Sequence, residues 1–237
     1  MILPSWMQIY DSAARDILGY EPKLDLLLEK TECPFAHEAG IYVPEDDSLW
    51  ITSNQYPHPE TGRPHIHISR IQLPSDIDST KTEYSEISAS NIAMPNGGVN
   101  YKNGVLFCVQ GTLDMPGGIA FMPLARGTGT EHEAKLLTST FHGRPFNSPN
   151  DVVVHSDGSI WFTDPIYGWE QGIRPRPRLP NQVYRYDPAT ESTRAIADGL
   201  SRPNGICFSP DESTVYITDT DWIHGDGTID EMRASHM

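Results

Sequence analysis

The most regular feature of the chain is a pair of short apolar segments joined by a polar turn. In its clearest copy, a β-branched run at 152–154 and an aromatic-rich run at 160–163 flank the turn at 155–158. Gly158 supplies the positive φ that a tight hairpin turn requires. The pattern predicts a two-stranded β-hairpin in this stretch.

The same order of polar residue, apolar run, turn and second apolar run occurs four times. The polar residues that open the copies are Glu38, Asn96, Asn150 and Asn204. The first interval is 58 residues long and the next two are 54 residues each. Repeats of roughly 40 to 50 residues with several strands each are typical of a β-propeller, an all-β fold. Four unrelated hairpins are the alternative, and the shared order of features favours the repeat.

The third repeat is the most complete. Further strands are predicted at 182–186 and 193–197, which gives this repeat the four antiparallel strands of one propeller blade. Between its second and third strands lies the segment 165–180, which is rich in Pro, Arg and Gly and contains Tyr167 and Trp169. A connection of this length either covers a site or is a surface excursion, and the sequence leaves both open.

The pattern divides the chain into three parts. Residues 1–30 form an N-terminal segment, in which 11–20 is predicted to be a short helix. The apolar segment 24–30 fits a strand or a helix equally well, and an outer strand is the prediction adopted. Residues 31–224 carry the repeats and are predicted to be an incomplete propeller. Residues 225–237 form a tail that does not continue the repeat.

Composition and charge narrow the class of protein. The net charge of −15 argues against a nucleic-acid partner, because phosphate backbones would be repelled. No apolar run approaches the roughly 20 residues that span a bilayer, and the N-terminus lacks the basic start and apolar stretch of a signal peptide. We therefore expect no membrane association and a cytoplasmic location. The three cysteines, Cys33, Cys108 and Cys207, are expected to be buried small hydrophobic residues.

Two histidines occur with a spacing of two in a segment that alternates between polar and apolar residues. His65 and His67 would share one face of a strand predicted at 65–71. The pair is either a metal-binding pair or, as is more usual for such a spacing on an outer strand, two solvent-facing side chains.

The repeat also predicts where the chemistry lies. The first strand of each blade lines the central channel of a propeller, so equivalent positions of successive blades converge there. Glu38, Asn96, Asn150 and Asn204 occupy equivalent positions. Carboxylate and amide oxygens are hard ligands suited to Ca²⁺, Mg²⁺ or Mn²⁺. A turn explains each Asn taken alone, but it does not explain Glu38, because Glu is not a turn former.

Several motifs, taken together, resemble the senescence marker protein 30/gluconolactonase family, and in particular its fungal lactone hydrolases of the D-pantolactone hydrolase kind. The resemblance rests on Ala36-His37-Glu38-Ala39, Asn147-Ser148-Pro149-Asn150-Asp151, Trp161-Phe162-Thr163-Asp164-Pro165 and Arg202-Pro203-Asn204-Gly205. It implies a six-bladed propeller, of which about four blades are present here, so that the chain looks C-terminally truncated. It also implies one divalent cation, usually Ca²⁺ and in some members Zn²⁺ or Mn²⁺, and an activity that opens lactone rings.

The resemblance assigns roles to particular residues. Glu38, Asn150 and Asn204 match three of the four metal ligands, and the fourth, an Asp in a later Pro-Asp-Gly motif, has no match here. That Asp is also the base usually proposed for the family. Among the residues present, Asp151 and Asp219 near strand ends are the remaining candidates for the base. Substrate contacts are expected from three residues: Asn96, Tyr167 and Trp169.

The sequence therefore predicts a divalent-cation-dependent hydrolase that opens a sugar-acid or aldono-type lactone, with a small-molecule lactone as its partner. The missing ligand and the missing blades are expected to impair this activity. The alternative is an inactive propeller fragment that acts as a binding module or arises as a gene-truncation product. Open propeller edges would promote self-association. The apolar side chains expected to lie partly open at these edges are Ile41, Trp50, Ile206, Phe208 and Tyr216.

Overall fold

The structure, a computed structural model, describes residues 10–20, 24–74, 82–124 and 131–237. It has two short helices, α1 (Ala13–Leu18) and α2 (Tyr167–Glu170). Its strands are β1 (Glu38–Val43), β2 (Ser48–Thr52), β3 (Tyr56–Pro57), β4 (Pro64–His65), β5 (Ile68–Gln72), β6 (Tyr84–Ser90), β7 (Pro95–Tyr101), β8 (Gly104–Val109), β9 (Gly118–Pro123), β10 (Glu131–Glu133), β11 (Lys135–Thr138), β12 (Thr140–Phe141), β13 (Arg144–Pro145), β14 (Val152–Val154), β15 (Ile160–Asp164), β16 (Gln182–Asp187), β17 (Ser192–Ala197), β18 (Pro203–Phe208) and β19 (Val215–Asp219). The all-β prediction is confirmed. Within the described ranges, neither helix is long and apolar enough to cross a membrane.

Four of the six sheets in the described ranges follow one another along the chain, and the other two are the two-stranded β3-β4 and β12-β13 pairs. The first contains β1, β2, β5 and β6 in antiparallel order, with β10 added parallel to β6. The second has the order β7-β8-β9-β11, the third β14-β15-β16-β17, and the fourth pairs β18 with β19. The four predicted hairpins are therefore the β1-β2, β7-β8, β14-β15 and β18-β19 pairs. Because β10 belongs to the second repeat by sequence, it ties the second repeat to the first sheet.

The opening strands of the four sheets lie side by side in chain order. Strand β1 contacts β7, β7 contacts β14, and β14 contacts β18. Residues at equivalent positions of these strands are therefore brought to the same end of the molecule. This placement creates the candidate site.

The core is built from both faces of the second sheet. All six residues of β8 are buried. Val105, Phe107 and Val109 pack with the first sheet, whereas Leu106 and Cys108 pack with the third. Successive side chains of a strand point to opposite faces, so one apolar strand serves two layers of core.

Three predictions for the N-terminal part of the chain have different outcomes. Helix α1 forms within the predicted range 11–20, and Gly19, at φ 76°, ends it. The strand expected at 24–30 does not form; this segment has no regular structure and its leucines are mostly exposed. Its apolar content is not matched by a neighbouring strand edge to pair with. The strand expected at 65–71 begins only at Ile68.

The expected exposure of the end sheets is wrong for three residues. Ile41 and Trp50 are each 2% exposed and Ile206 is 7% exposed, whereas Tyr216 is 43% exposed. The first sheet is covered because β10 brings His132 edge-on against the Trp50 ring, with 5.5 Å between ring centroids. Only the fourth sheet leaves a large apolar side chain of this set open.

The prediction of three buried cysteines holds for one of them. Cys108 is fully buried, Cys33 is partly buried, and Cys207 is exposed. Cys207 lies on β18 and points away from the neighbouring third sheet, because the strand alternates and Ile206 takes the buried side. All three are free thiols.

Candidate functional site

A cavity of about 650 Å³ lies where the opening strands meet. Its lining includes all four repeat residues, Glu38, Asn96, Asn150 and Asn204, together with Tyr167. Most of the other lining side chains are polar and include Asn54, Gln55, Gln110, Glu170, Gln171 and Asp226. The structure thus brings together the residues that the repeat predicted to converge.

Local backbone irregularities aim these side chains. The pairing register shifts between Glu38 and Ile41 in β1, between Pro95 and Gly98 in β7, and between Pro203 and Ile206 in β18. Such bulges bend a strand and redirect a side chain, and they are common next to active sites. Glu38, Asn96 and Asn204 each lie within or at the edge of one of these irregularities.

Hydrogen bonds between neighbouring sheets fix the spacing of the same positions. The Thr52 hydroxyl donates to the Asn96 carbonyl oxygen at 3.1 Å, and the Thr163 hydroxyl donates to the Asn204 carbonyl oxygen at 2.7 Å. The Thr52 and Thr163 hydroxyls thus make equivalent bonds, from the first sheet to the second and from the third sheet to the fourth. The backbones that carry two of the four converging side chains are held by the sheet before them.

The electrostatics around Glu38 favour a positive charge in the cavity. Burial raises the pKa of the Glu38 carboxyl, and the nearby Asp151 carboxylate raises it further. Burial also raises the pKa of Asp151. A cation placed in the cavity beside Glu38 would stabilise the ionised form of its carboxyl group.

The state of Asn150 shows whether the residues present suit a divalent cation. This residue is 5% exposed, and its buried Oδ1 has no hydrogen-bond partner among the described residues. A buried, unsatisfied carbonyl oxygen is costly unless it has a ligand. Together with the Glu38 carboxylate it offers the hard oxygen donors that Ca²⁺ and similar ions prefer. The residues present therefore fit such an ion.

The two candidates for the base are placed behind the cavity wall. Asp151 accepts the backbone N–H groups of Val152 and Ile206, both at 2.9 Å. Asp219 accepts the N–H groups of Ser201 at 2.9 Å and Arg202 at 2.6 Å. In each case one carboxylate oxygen takes one N–H, and neither residue lines the cavity. Both carboxylates therefore hold the backbone of neighbouring segments, and a role as the base stays a prediction.

Asp164 repeats the role of Asp219 one sheet earlier. Its carboxylate is fully buried and accepts the N–H groups of Asn147 at 2.9 Å and Ser148 at 2.8 Å. Burial raises the pKa of Asp164 to about 7, against the lowering effect of these two N–H donors and of Arg174. The aspartate at the end of the second strand thus clamps the entry to the first strand in two successive repeats.

A buried ion network supports the far wall of the cavity. Arg202, 8% exposed, contacts Glu170 at 2.6 Å and Asp221 at 2.9 Å. Glu170 also accepts the N–H of Gly225 at 2.6 Å. Helix α2 and the segment 221–227 are thereby joined, and both contribute to the lining. The long segment 165–180 thus contributes to the lining of the cavity. This placement favours the interpretation that the segment covers a site over a surface excursion.

Of the two aromatic residues predicted to contact the substrate, one lines the cavity and the other does not. Tyr167 lines the cavity, and its hydroxyl contacts Thr220 and accepts a hydrogen bond from Asn204 Nδ2 at 3.3 Å. Trp169, on the same short helix, is 44% exposed and does not line the cavity. The two side chains lie on different sides of α2, which the sequence did not resolve.

Sequence reasoning missed several lining residues. They are His37, Gln110, Glu170, His224 and Asp226. The repeat could have indicated His37, because this residue directly precedes Glu38. Its Nε2 lies 3.9 Å from Glu38 Oε1, and burial lowers its pKa. The others belong to loops or to the tail, where no periodic pattern marks them.

Comparison with known proteins gives a consistent picture. Residues 76–222 match the family described as the SMP-30/gluconolactonase/LRE-like region. The chain is 30% identical over 215 residues to the lactonohydrolase oryL of Aspergillus oryzae, which covers 88% of this chain and 46% of that protein. It is 37% identical over 93 residues to a gluconolactonase of Zymomonas mobilis, covering 38% of this chain and 25% of that protein. The chain thus spans about half the length or less of these curated relatives.

Solved structures give the same family. A gluconolactonase from Xanthomonas campestris superposes with a TM-score of 0.58 at 25% identity, covering 83% of this chain and 58% of that one. A luciferin-regenerating enzyme shares the fold, with a TM-score of 0.52 at 15% identity, over 84% of this chain and 57% of that one. The matched range contains Asn96, Asn150 and Asn204, whereas Glu38 precedes it. On the family match, which covers more than half of the chain, the protein belongs to the SMP-30/gluconolactonase/LRE-like family.

Proposed function

We propose that this protein is, or is part of, a divalent-cation-dependent hydrolase that opens the ring of a sugar-acid lactone. Its four sheets are then consecutive blades of a six-bladed propeller. The observation that carries the proposal is the convergence of Glu38, Asn150 and Asn204 on one cavity, with a buried Asn150 oxygen that has no partner in the described chain. The names of the relatives point to lactones as the substrate class.

Three residues of the chain would hold the cation, with Ca²⁺ as the preferred ion. Glu38 supplies the negative charge, and Asn150 and Asn204 supply neutral amide oxygens. When bound, such an ion supplies Lewis-acid chemistry, which makes a lactone carbonyl more open to attack by water. The Asn204 amide is oriented by its hydrogen bond to Tyr167, which leaves its oxygen available.

The cavity lining favours a hydroxylated ring over an apolar one. Carboxamide groups both donate and accept hydrogen bonds, as sugar hydroxyls do. Asn96 and Gln110 are 3% and 4% exposed and line the cavity, so they can bind ring hydroxyls without competition from bulk water. A polyhydroxylated aldonolactone matches this lining better than an aliphatic lactone.

We assign proton transfer to His37. Its ring lies within 3.9 Å of the Glu38 carboxylate, at the edge of the same cavity. A neutral imidazole can take a proton from the attacking water. Asp151 and Asp219 do not compete for this role, because their carboxylate oxygens already accept backbone N–H groups.

The direct test is hydrolysis of D-glucono-δ-lactone by the purified chain, with and without a chelator. The acid that hydrolysis releases is measured over time. We expect activity that the chelator removes and that Ca²⁺ restores. Glu38→Gln should weaken Ca²⁺ binding and activity together, whereas His142→Asn, at an exposed histidine that does not line the cavity, should change neither. A folded chain that binds Ca²⁺ and lactone but shows no turnover would support the alternative, a binding module.

The role of His37 has its own test. His37→Gln should lower kcat by about 100-fold or more while leaving Ca²⁺ affinity unchanged, because a general base contributes roughly 10² to 10⁴ to the rate. His142→Asn is the matched control, since His142 is exposed and has a φ of 49° that asparagine tolerates. An unchanged kcat in His37→Gln would remove His37 from the mechanism.

A further inference from the structure

A second group of ionisable side chains lies beside the cavity, in the segment that forms the β3-β4 hairpin. Tyr56 pairs with His65 across this hairpin, and His67 follows two residues later. The His65 and His67 rings are 4.4 Å apart between centroids, and their Nε2 atoms are only 2.5 Å apart. Both residues are partly buried, so they are not the freely solvated pair that the spacing usually indicates.

The partners of the Nδ1 atoms define the tautomer of His65 and allow two tautomers of His67. His65 Nδ1 lies 3.1 Å from the Tyr56 carbonyl oxygen, which can only accept, so Nδ1 carries the proton. His67 Nδ1 lies 3.1 Å from a Glu86 carboxylate oxygen and 2.5 Å from the Tyr56 hydroxyl. The Glu86 carboxylate only accepts and favours a proton on Nδ1, whereas a hydrogen bond donated by the Tyr56 hydroxyl to Nδ1 would place the proton of His67 on Nε2.

With the proton of His67 on Nδ1, both neutral rings direct an Nε2 lone pair at each other, and a cation between them removes the repulsion. With the proton on Nε2, a single N–H···N hydrogen bond joins the two rings. A histidine that donates Nδ1–H to a carbonyl or carboxylate while its other nitrogen is free has the arrangement of a metal ligand with its supporting partner. We propose that His65 and His67 bind a divalent transition-metal ion that prefers imidazole, such as Zn²⁺, through their Nε2 atoms.

The geometry needs only a small adjustment. Zinc binds imidazole nitrogen at about 2.0–2.1 Å in tetrahedral sites, so two such nitrogens are about 3.3 Å apart. The His65 and His67 nitrogens would therefore separate by roughly 1 Å, which side-chain rotation provides. No three His, Cys, Asp or Glu side chains of the described ranges are arranged to hold a metal ion, so water completes the coordination.

One more histidine is close enough to strengthen the site. The His58 ring is 4.8 Å from that of His65, and its Nδ1 accepts the N–H of Glu60 at 3.2 Å. The proton of a neutral His58 is therefore on Nε2 in this arrangement, and the ring must change tautomer or turn to become a ligand. His65 and His67 alone are thus the core of the site, and His58 is a secondary contributor.

Metal binding here would stabilise one wall of the cavity. Ile66, between the two histidines, lines the candidate active-site cavity as well as the smaller cavity beside these rings. The His67 N–H is also bonded to the Ser53 hydroxyl, immediately before the lining residues Asn54 and Gln55. An ion bound to both rings would fix this segment in place. The inference does not depend on the proposed hydrolase activity.

The test is calorimetric titration of the chelator-stripped chain with Zn²⁺ in the presence of excess Ca²⁺, which occupies the oxygen-donor site. We expect about one Zn²⁺ per chain and a higher Tm on binding. His65→Ala and His67→Gln should each lower Zn²⁺ affinity at least tenfold, and His58→Ala should lower it less. Glu38→Gln and His142→Asn are the controls and should leave it unchanged.

Three results would overturn the proposal. Equal Zn²⁺ affinity in all variants would place the ion elsewhere, and loss of binding in Glu38→Gln alone would place it in the main cavity. No Zn²⁺ uptake, with NMR showing one proton shared by the two rings, would make the pair a proton site. Circular dichroism of each variant establishes that loss of binding is not loss of fold, and His67→Gln, which keeps a side chain of similar size, guards against that outcome.

Discussion

The backbone N–H of Gly97 donates a 2.9 Å hydrogen bond to the carbonyl oxygen of Asn150, and a β-carbon on Gly97 would lie 2.4 Å from that same oxygen. The second sheet thus approaches the third, through a residue without a side chain, at the position that carries a candidate metal ligand. Sheet spacing and ligand placement depend on one glycine.

Gly97→Ala is therefore expected to disturb both stability and the site. The added carbon meets backbone, which cannot rotate away, so we expect a loss of about 1–3 kcal/mol in the free energy of unfolding and weaker Ca²⁺ binding. Denaturant titration and calorimetry measure the two effects. Gly40→Ala is the matched control, because Gly40 is also in a strand and a β-carbon there meets nothing within 4 Å. Equal effects in both variants would contradict the prediction.

The buried Asp164 predicts a particular pH dependence. Its pKa is about 7 in the folded protein, against an ordinary value of 3.8. Between these values the folded carboxyl holds a proton that the unfolded one has released, so its contribution to stability falls as pH rises from about 4 to about 7. The full fall is on the order of 4 kcal/mol.

Denaturant unfolding across this pH range gives the free energy of unfolding of the wild type and of Asp164→Asn. The change with pH in the difference between these two free energies measures the fall. The wild type should lose stability relative to the variant as pH rises. Asp211→Asn is the control, because hydrogen bonds from Ser209 and Ser213 lower the pKa of Asp211 to about 2, outside this window. A wild-type-to-Asp164→Asn difference that does not change with pH would show that Asp164 does not titrate there.

Breaking the Arg202 network should be strongly destabilising. Arg202→Met keeps the aliphatic bulk but leaves the Glu170 and Asp221 carboxylates, 9% and 8% exposed, without their shared partner. Removing one member of a buried ion pair typically costs about 3–5 kcal/mol. Arg185→Met is the comparison, because Arg185 pairs with the half-exposed Asp157 and should cost about 1 kcal/mol or less. Similar losses in both would mean that the network is not effectively buried.

The two aromatic residues of helix α2 should differ in effect. Tyr167→Phe removes the hydroxyl that accepts from Asn204 Nδ2, so the amide is no longer oriented, and Ca²⁺ affinity should fall about tenfold. Trp169→Phe should leave Ca²⁺ affinity and lactone turnover unchanged, because Trp169 does not line the cavity. Calorimetry and the lactone assay test both. An effect of Trp169 equal to that of Tyr167 would place its side chain in the site.

Self-association through an open sheet stays a prediction. The fourth sheet exposes Tyr216 on β19, next to a sheet edge with two strands only. We expect the apparent molar mass from light scattering to increase with the concentration of the chain, and to increase less in Tyr216→Lys. Tyr42→Lys is the control, because Tyr42 is similarly exposed on β1 of the complete first sheet. A monomer at all concentrations would contradict it.

The sequence by itself determined the strand pairs and the convergence of the site. Alternating apolar positions and turn residues are local, so the β14-β15 hairpin and its partners β16 and β17 were predictable within a few residues. Glu38, Asn96, Asn150 and Asn204 converge because equivalent positions of repeats that pack side by side must lie together. Neither inference required knowledge of a contact distant in sequence.

Tertiary structure alone decided the rest. Within the part of the chain that the structure describes, no sheet edge pairs with the apolar segment 24–30, and no sheet covers the side of β18 on which Cys207 is exposed. Glu170 and His224 join the site through buried Arg202, a partner more than 20 residues away from each. The periodicity of apolar residues predicts the local structure of a segment and its pairing with segments near it in sequence. Which long-range partner satisfies a buried charge, or covers an apolar face, depends on how the whole chain packs.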